Sequence, residues 1–488
     1  MASADLPTGR RRSPNGTDQD HERASTEQRT TTVSGSPRKL RAIQYLGYGA
    51  GDAANNLTFS LVSSFLLIYY TDVAGITAAA AGTLFLVVRV WGGVADLIAG
   101  RAVDATNTRW GKFRPYLLFV SVPLLLLNVA VFSIPSGLGL PGKLAFAYAS
   151  YVLFQLAYSF VNIPYGSLSA AMTQDPDERA KLSTSRTICT TLAILLIAVV
   201  VSPQISSGSD LQRSLTVTTV VFAVMGFALY LFCFRTSRET VQRSAEKVTL
   251  RATLHMMGHN KPLILLCLSS LLFLAGQFSL QTVAVYYARD VFGNANLYIV
   301  LTVVSTIFQI GASLAVPKAV QTMGKKRTYL IGAVIAAASA GGVAVAPGSA
   351  PVIGIACYGV LGFGLGLINA LIFALQPDTV DYGEWKSGIR AEGSSYSALS
   401  FTRKAGQGVG GGLAAYTIGL GGYISGAATQ TSSAVTSIRV AVGIIPAIAV
   451  LAAGAVMLAY PLTEKKLRGM VADMTQRRAT GSERQPVS

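Results

Sequence analysis

Arg89 and Asp96 stand seven residues apart in one otherwise apolar stretch, LFLVVRVWGGVADLIAG, with Gly92 and Gly93 between them. On a helix that spacing is about two turns, so both charges share a face, roughly 10 Å apart along the axis, and the glycines leave that face open. A charge at the centre of a bilayer costs about 2.5–3.5 kcal/mol on insertion scales, which makes such residues candidates for ion or solute paths. Two chemistries suit Asp96. Holding sodium takes several hard oxygen ligands, and the preceding turn offers only Gly92, Gly93 and Ala95. Carrying a proton takes one carboxylate, because burial disfavours the charged form of a lone acid. The plainer alternative is close helix packing at the glycines, with both charges paired to other helices.

Three more stretches place polar groups among apolar ones. VLFQLAYSFVNIPYGSLSAAM carries Gln155, Ser159 and Asn162 ahead of Pro164, Tyr165 and Gly166. A break at Pro-Tyr-Gly is expected to free backbone carbonyls beside a neutral amide and a phenol, which suits sugar hydroxyls; a simple kink is the alternative. SFTRKAGQGVGGG puts Arg403 and Lys404 before Gln407 and a run of glycines. Adjacent residues on a helix point about 100° apart, so one of the two cations is expected to face a cavity, where it would complement an ionised Asp96 or a substrate carboxylate. Snorkelling of both to a membrane boundary is the competing reading. Asp52, Asn55 and Asn56 in YGAGDAANNLTFS are costly facing lipid and make sense facing a cavity.

The elements that hold these residues follow from composition. Of 488 residues, 51% are hydrophobic and 13% charged, with a mean hydropathy of +0.47. Soluble domains carry about 25% charged residues, so most of this chain has no water to face. About twelve apolar runs are long enough to cross a roughly 30 Å hydrocarbon core. They lie near 43–70, 77–102, 115–135, 144–171, 184–204, 215–234, 262–287, 297–320, 327–347, 351–376, 395–420 and 436–460. Each is expected to be a helix, since in lipid the backbone must satisfy itself. The fold class expected is therefore an all-α membrane protein of two six-helix halves.

Residues 1–40 and 464–488 read as polar tails, the first disordered, and 236–261 as the charged loop between the halves 41–235 and 262–463. VDATNTRWGKFRPY after the second span and AVQTMGKKRTY after the eighth echo one another. Basic residues gather in the loops after spans 2, 4, 6 and 8, which places both termini in the cytoplasm.

The net charge of +17 lies in tails and loops and not in a basic stripe interleaved with aromatics, so nucleic acid is not an expected partner. Cys189, Cys233, Cys267 and Cys357 are scattered through apolar runs and read as packing residues, without a disulfide framework. His255 and His259 have helical metal-pair spacing but lie in a basic loop, so no metal site is expected. With three histidines and no nucleophile–base pair or phosphate loop, neither an enzyme nor a cofactor is expected.

The segments YYTDVAGI, NTRWGKFRP, NIPYGSL, DYGEWKSGIRAEG and FTRKAGQ together resemble the glycoside–pentoside–hexuronide:cation symporters of the major facilitator superfamily. The likeness runs from about residue 40 to 465, and GDAANN, VNIPYGSLSAAMTQ and SFTRKAGQGVGG sit nearest the glucuronide-carrying members. The resemblance implies alternating access, a small glycoside substrate, a coupling cation and residence in the inner membrane. It implies Asp96 and Arg89 as cation-coupling residues, and the hydroxyl of Ser159 in the polar stretch above is expected to join them. It implies Asn56, Asn162 and Lys404 in the substrate set, to which the residue types already noted add Asn55, Tyr165, Arg403 and Gln407. Asn56 and Asn162 fall where a melibiose-carrying member has sugar-binding aspartates, and Gly166 where it has a stacking tryptophan. Loss of two acids suits an anionic sugar, which a carboxylate would repel. Gly92 falls where the family usually has a second carboxylate, which favours the proton over sodium as coupling ion. A sodium-coupled carrier of neutral glycosides, or a lipid carrier on the same fold, are the alternatives.

Overall fold

Long apolar segments joined by short polar loops have one economical solution in lipid, helices laid side by side, and this is what the computed structural model contains. It describes residues 40–480 apart from 174, 207–209, 240–257, 259, 388–391, 426 and 428. His255, His259 and most of the central charged segment lie outside the described residues. Among the described residues there is no β-strand, only an isolated bridge between Thr108 and Gly111.

In the first half, α1 (Ala42–Ile68), α2 (Ala78–Ala105), α3 (Arg114–Val131), α4 (Leu140–Met172), α5 (Pro176–Ser206) and α6 (Leu211–Thr236) follow in order. In the second, α7 (Lys261–Tyr286), α8 (Leu297–Met323), α9 (Lys325–Val345), α10 (Pro351–Ser387), α11 (Glu392–Leu420) and α12 (Ser432–Leu458) repeat the pattern. Ten of these are long and apolar enough to cross a membrane. The two that fall short of that apolar standard, α1 and α11, carry Asp52, Asn55, Asn56, Arg403, Lys404 and Gln407. At about 1.5 Å per residue, the 37 residues of α10 exceed the hydrocarbon thickness, so that helix projects beyond it.

Three local departures from the sequence expectations have simple causes. Helix α3 is interrupted at Val120, because Pro123 has no N–H to bond the Phe119 carbonyl one turn back. Helix α4 runs unbroken through Pro164, so the expected Pro-Tyr-Gly break is at most a kink. The acidic segment QPDTVDYGEWKS continues α10, and the basic stretch after Thr463, expected as a tail, is a further helix, α13 (Glu464–Thr480). The indole N–H of Trp385 on α10 donates to Asp473 of α13 at 2.7 Å and ties the two together.

The halves repeat one another in detail. YYTDVAG at the end of α1 and YYARDVFG at the end of α7 both close in a π-helical turn, Tyr69–Val73 and Tyr287–Val291, followed by a left-handed glycine, Gly75 or Gly293. The Tyr69 hydroxyl accepts from the Ile134 N–H beyond α3, and the Tyr287 hydroxyl donates to the Val343 carbonyl of α9, both at 2.7 Å. On the basic face, the two Gly-Lys turns pivot on Gly111 (φ 103°) and Gly324 (φ 81°). Arg114 then donates to the Phe234 carbonyl at the end of α6, and Lys326 to the Leu458 and Tyr460 carbonyls at the end of α12.

The glycines of α11 let this helix touch both halves closely. Cβ atoms at Gly406 and Gly410 would lie 2.4 and 2.2 Å from the Leu271 and Ala275 carbonyl oxygens of α7. At Gly408 and Gly412 they would strike Arg89 and Leu86 of α2 at 2.5 and 2.7 Å. The glycine run thus serves two opposite contacts, and it brings the charges of α2 and α11 face to face.

Candidate translocation site

Helices α2 and α11 run antiparallel, and their glycine contacts set the register of the site. Gly93 lies against the Phe401 ring and Gly408 against Arg89, and Lys404, between these contacts on α11, forms an ion pair with the Oδ2 atom of Asp96, about one turn beyond Gly93 on α2. The pair bridges the two halves. Its side chains keep 14% and 21% of their exposure, so neither lipid nor bulk water surrounds them. The second carboxylate oxygen, Asp96 Oδ1, is buried and has no hydrogen-bond partner among the described residues.

Helix α4 runs parallel to α2. The Trp91 indole donates to the Val152 carbonyl at 3.1 Å, and the Gln155 amide covers Gly92, 3.0 Å from where a Cβ would stand. One turn further along both helices come Asp96 and Ser159, at the same level. Ser159 Oγ is also buried and unpartnered. Two orphaned oxygens on facing helices are an arrangement that can accept a proton or a small cation.

Arg89 does not pair with Asp96. It is 7% exposed, two turns nearer the weakly charged face. Its guanidinium donates to Gln407 Oε1 of α11 at 3.2 Å and to Ser63 Oγ of α1 at 3.4 Å. It also lies 5.0 and 5.7 Å from the ring centres of Phe59 on α1 and Phe278 on α7.

A second ion pair, which the sequence reading did not include, joins α1 to α5. Arg186 Nε lies 3.1 Å from Asp52 Oδ2, and the Thr190 hydroxyl donates to the same oxygen. Asn56 extends the cluster: its amide donates to Thr190 Oγ1 at 3.3 Å and to the Asp52 carbonyl at 2.9 Å, and it accepts from Ser60 at 3.0 Å. Arg186 remains 43% exposed, with its guanidinium 5.6 Å from the centre of the Tyr165 ring. The sequence signal was the hydroxyl-rich run TSRTICTT, in which Arg186 and Thr190 share one helical face.

The remaining expected residues separate. Asn162 is half-buried with no side-chain hydrogen bond, and Gly166 faces open space. Tyr165 is fully buried, stacked on Tyr48 with ring centres 4.8 Å apart, and its hydroxyl donates to the Tyr48 carbonyl at 2.7 Å. It positions Arg186 and leaves no hydroxyl for a ligand. Asn55 turns away from Asn56, towards α6, where its Oδ1 accepts from Tyr230 at 2.7 Å. Arg403 is drawn onto the Phe373 ring of α10, 4.8 Å from its centre, so of the two adjacent cations it is Lys404 that faces α2.

On the weakly charged face the halves are bolted together. Arg289 bonds Asp72 of the other half at 2.5 Å and its own neighbour Asp290 at 2.9 Å. Tyr423 donates to both Asp72 oxygens at 3.0 and 3.1 Å, and Ser425 donates to the Thr71 carbonyl at 2.6 Å. Asp72 and Asp290 occupy equivalent places in the repeated motif, and a single arginine holds both.

A twelve-helix bundle of two repeated halves, with ion pairs between and within them, is the architecture of a major facilitator transporter. A family model described as "MFS/sugar transport protein" matches residues 47–464, and the chain belongs to that family, on its glycoside–pentoside–hexuronide:cation symporter branch. It is 40% identical to the "Glucuronide carrier protein homolog" of Escherichia coli (strain K12), over 89% of this chain and 95% of that one. It is 32% identical to the "Putative sulfoquinovose importer" of the same organism, over 90% and 95%. To the "Isoprimeverose transporter" of Lactiplantibacillus pentosus it is 30% identical, over 88% and 91%. Among solved structures, the nucleoside transporter NupG superposes with a TM-score of 0.62 at 14% identity, covering 86% of this chain and all of that one, a likeness of fold.

Proposed function

We propose that this chain imports glucuronides by proton symport, with alternating access between its two halves. The observation that carries the reading is the Asp96–Lys404 pair. It joins the halves while Asp96 is ionised, and a proton on Asp96 removes the attraction, so protonation and movement are linked at one bond. Coupling to sodium has less support. Gln155 fills the space over Gly92, so Asp96 and Ser159 have no second carboxylate beside them on α2.

The Asp52–Arg186–Thr190 cluster with Asn56 offers donors and acceptors for sugar hydroxyls, and the open space at Gly166 leaves room for a ring. The basic loops favour a cytoplasmic location for both termini, in the inner membrane, with 236–261 as the cytoplasmic connection between the halves. The Arg289 bolt then lies on the outer face, and the state described is closed to the outside. Relatives of this chain carry names that span glucuronide, sulfoquinovose and isoprimeverose, an acidic, a sulfonated and a neutral sugar.

Counterflow in proteoliposomes separates the candidates. With a phenyl glucuronide inside, entry of labelled glucuronide is expected to exceed entry of a neutral phenyl galactoside by about tenfold or more, the worth of one charge-assisted contact. Preference for the galactoside would retire the glucuronide assignment and leave a carrier of neutral glycosides.

A further inference from the structure

We infer that Arg89 is the seat of the substrate's carboxylate and sets the preference for acidic over neutral sugars; the inference rests on the glucuronide reading above. Arg89 is a buried cation with no counter-ion: among the described residues no carboxylate lies within ion-pair distance of it. Its hydrogen bonds to a neutral amide and a hydroxyl, at 3.2 and 3.4 Å, are long for charged donors, and the further group it meets, the Tyr151 hydroxyl of α4, is neutral as well. A guanidinium has five N–H donors in a planar fork that fits a carboxylate edge to edge. The aromatic rings of Phe59 and Phe278 lie beside it and exclude water, which strengthens any ionic contact made there.

Charge balance points the same way. The charges beside it cancel in pairs, Asp52 against Arg186 and Asp96 against Lys404, and the other cation without an ion pair, Arg403, is turned away onto Phe373 of α10. Arg89 is left over, and a monoanionic sugar would neutralise it. Arg186 is the poorer choice for this task because Asp52 already holds it at 3.1 Å. Position also favours Arg89. Its contacts come from α1, α7 and α11 as well as its own helix, so an anion bound there touches both halves. Asp96 is two turns along the same helix, near enough for the proton site to sense that anion.

The test uses 4-nitrophenyl β-D-glucuronide and 4-nitrophenyl β-D-glucoside, which differ only in a carboxylate against a hydroxymethyl group. Dissociation constants for both are measured on the purified full chain and on Arg89→Gln and Arg89→Lys. Arg89→Gln is expected to weaken the glucuronide about tenfold to a hundredfold more than the glucoside. Arg89→Lys should keep part of the preference, having the charge without the fork. Equal weakening of both ligands would make Arg89 a packing residue, and an undiminished preference would place the carboxylate elsewhere; either result overturns the inference alone. A wild-type preference for the glucoside would overturn the glucuronide reading beneath it. If Arg89→Gln does not fold, the lysine variant decides: a full wild-type preference there contradicts the assignment.

Discussion

Asp96→Asn is expected to abolish proton-driven accumulation while leaving counterflow of the same sugar largely intact. Asparagine resembles the protonated acid in shape and neutrality, so the loaded carrier can still reorient, and exchange needs no more than that. What fails is the return of the empty carrier, which on this account uses the ionised Asp96 to neutralise Lys404. Each pH unit is worth about 1.4 kcal/mol per proton, so a gradient of about two units supports roughly hundredfold accumulation through one coupled proton. The variant should fall to about onefold. Losing one partner of a buried ion pair costs about 3–5 kcal/mol, and this pair keeps some exposure, so the lower end applies. Adding Lys404→Gln should therefore restore thermal stability without restoring accumulation. Uptake with the pH gradient imposed, compared with equilibrium exchange, reads both halves of the prediction.

Arg186→Ala is expected to remove substrate binding and to destabilise the fold. The change leaves Asp52, 4% exposed, with only the Thr190 hydroxyl on its carboxylate, and it strips the cation from the face of Tyr165. Hydrogen bonds to charged groups are worth about 1.5–3 kcal/mol, which corresponds to about tenfold to a hundredfold in affinity. Binding titrations and thermal unfolding separate the two effects through the double variant Asp52→Asn with Arg186→Gln. The neutral pair should regain stability and still bind poorly. Recovery of binding in the double variant would mean that the cluster only props α1 against α5.

The residues of the site differ in how far the sequence announced them. Asp96 and Lys404 were legible because a charge inside an apolar run needs a partner, although the spacing left open which of Arg403 and Lys404 would face the cavity. Arg186 was hidden because it lies near the start of its span, where a basic residue is ordinarily a boundary anchor. Only its contact with Asp52, 134 residues away, gives it a different meaning. Tyr165 and Asn55 were placed among the sugar ligands by residue type, yet which side of a helix meets a cavity is set by the tertiary packing. Tyr165 turns to Tyr48 and Asn55 to Tyr230. The exchange of bulk between Gly92 and Gln155 is similarly silent in the sequence, since it depends on two residues meeting across parallel helices. For the fold, the apolar runs located every span to within a few residues at most ends. The extension of α10 and the helix α13 were missed because their polar composition carries no hydropathy signal.

If one carboxylate, Asp96, couples a proton to an acidic sugar, glucuronide uptake into proteoliposomes under separately imposed gradients will show it. An inward proton gradient without sodium should drive accumulation, and a sodium gradient at equal pH should not. Strong sodium-driven uptake that ignores pH would contradict the account.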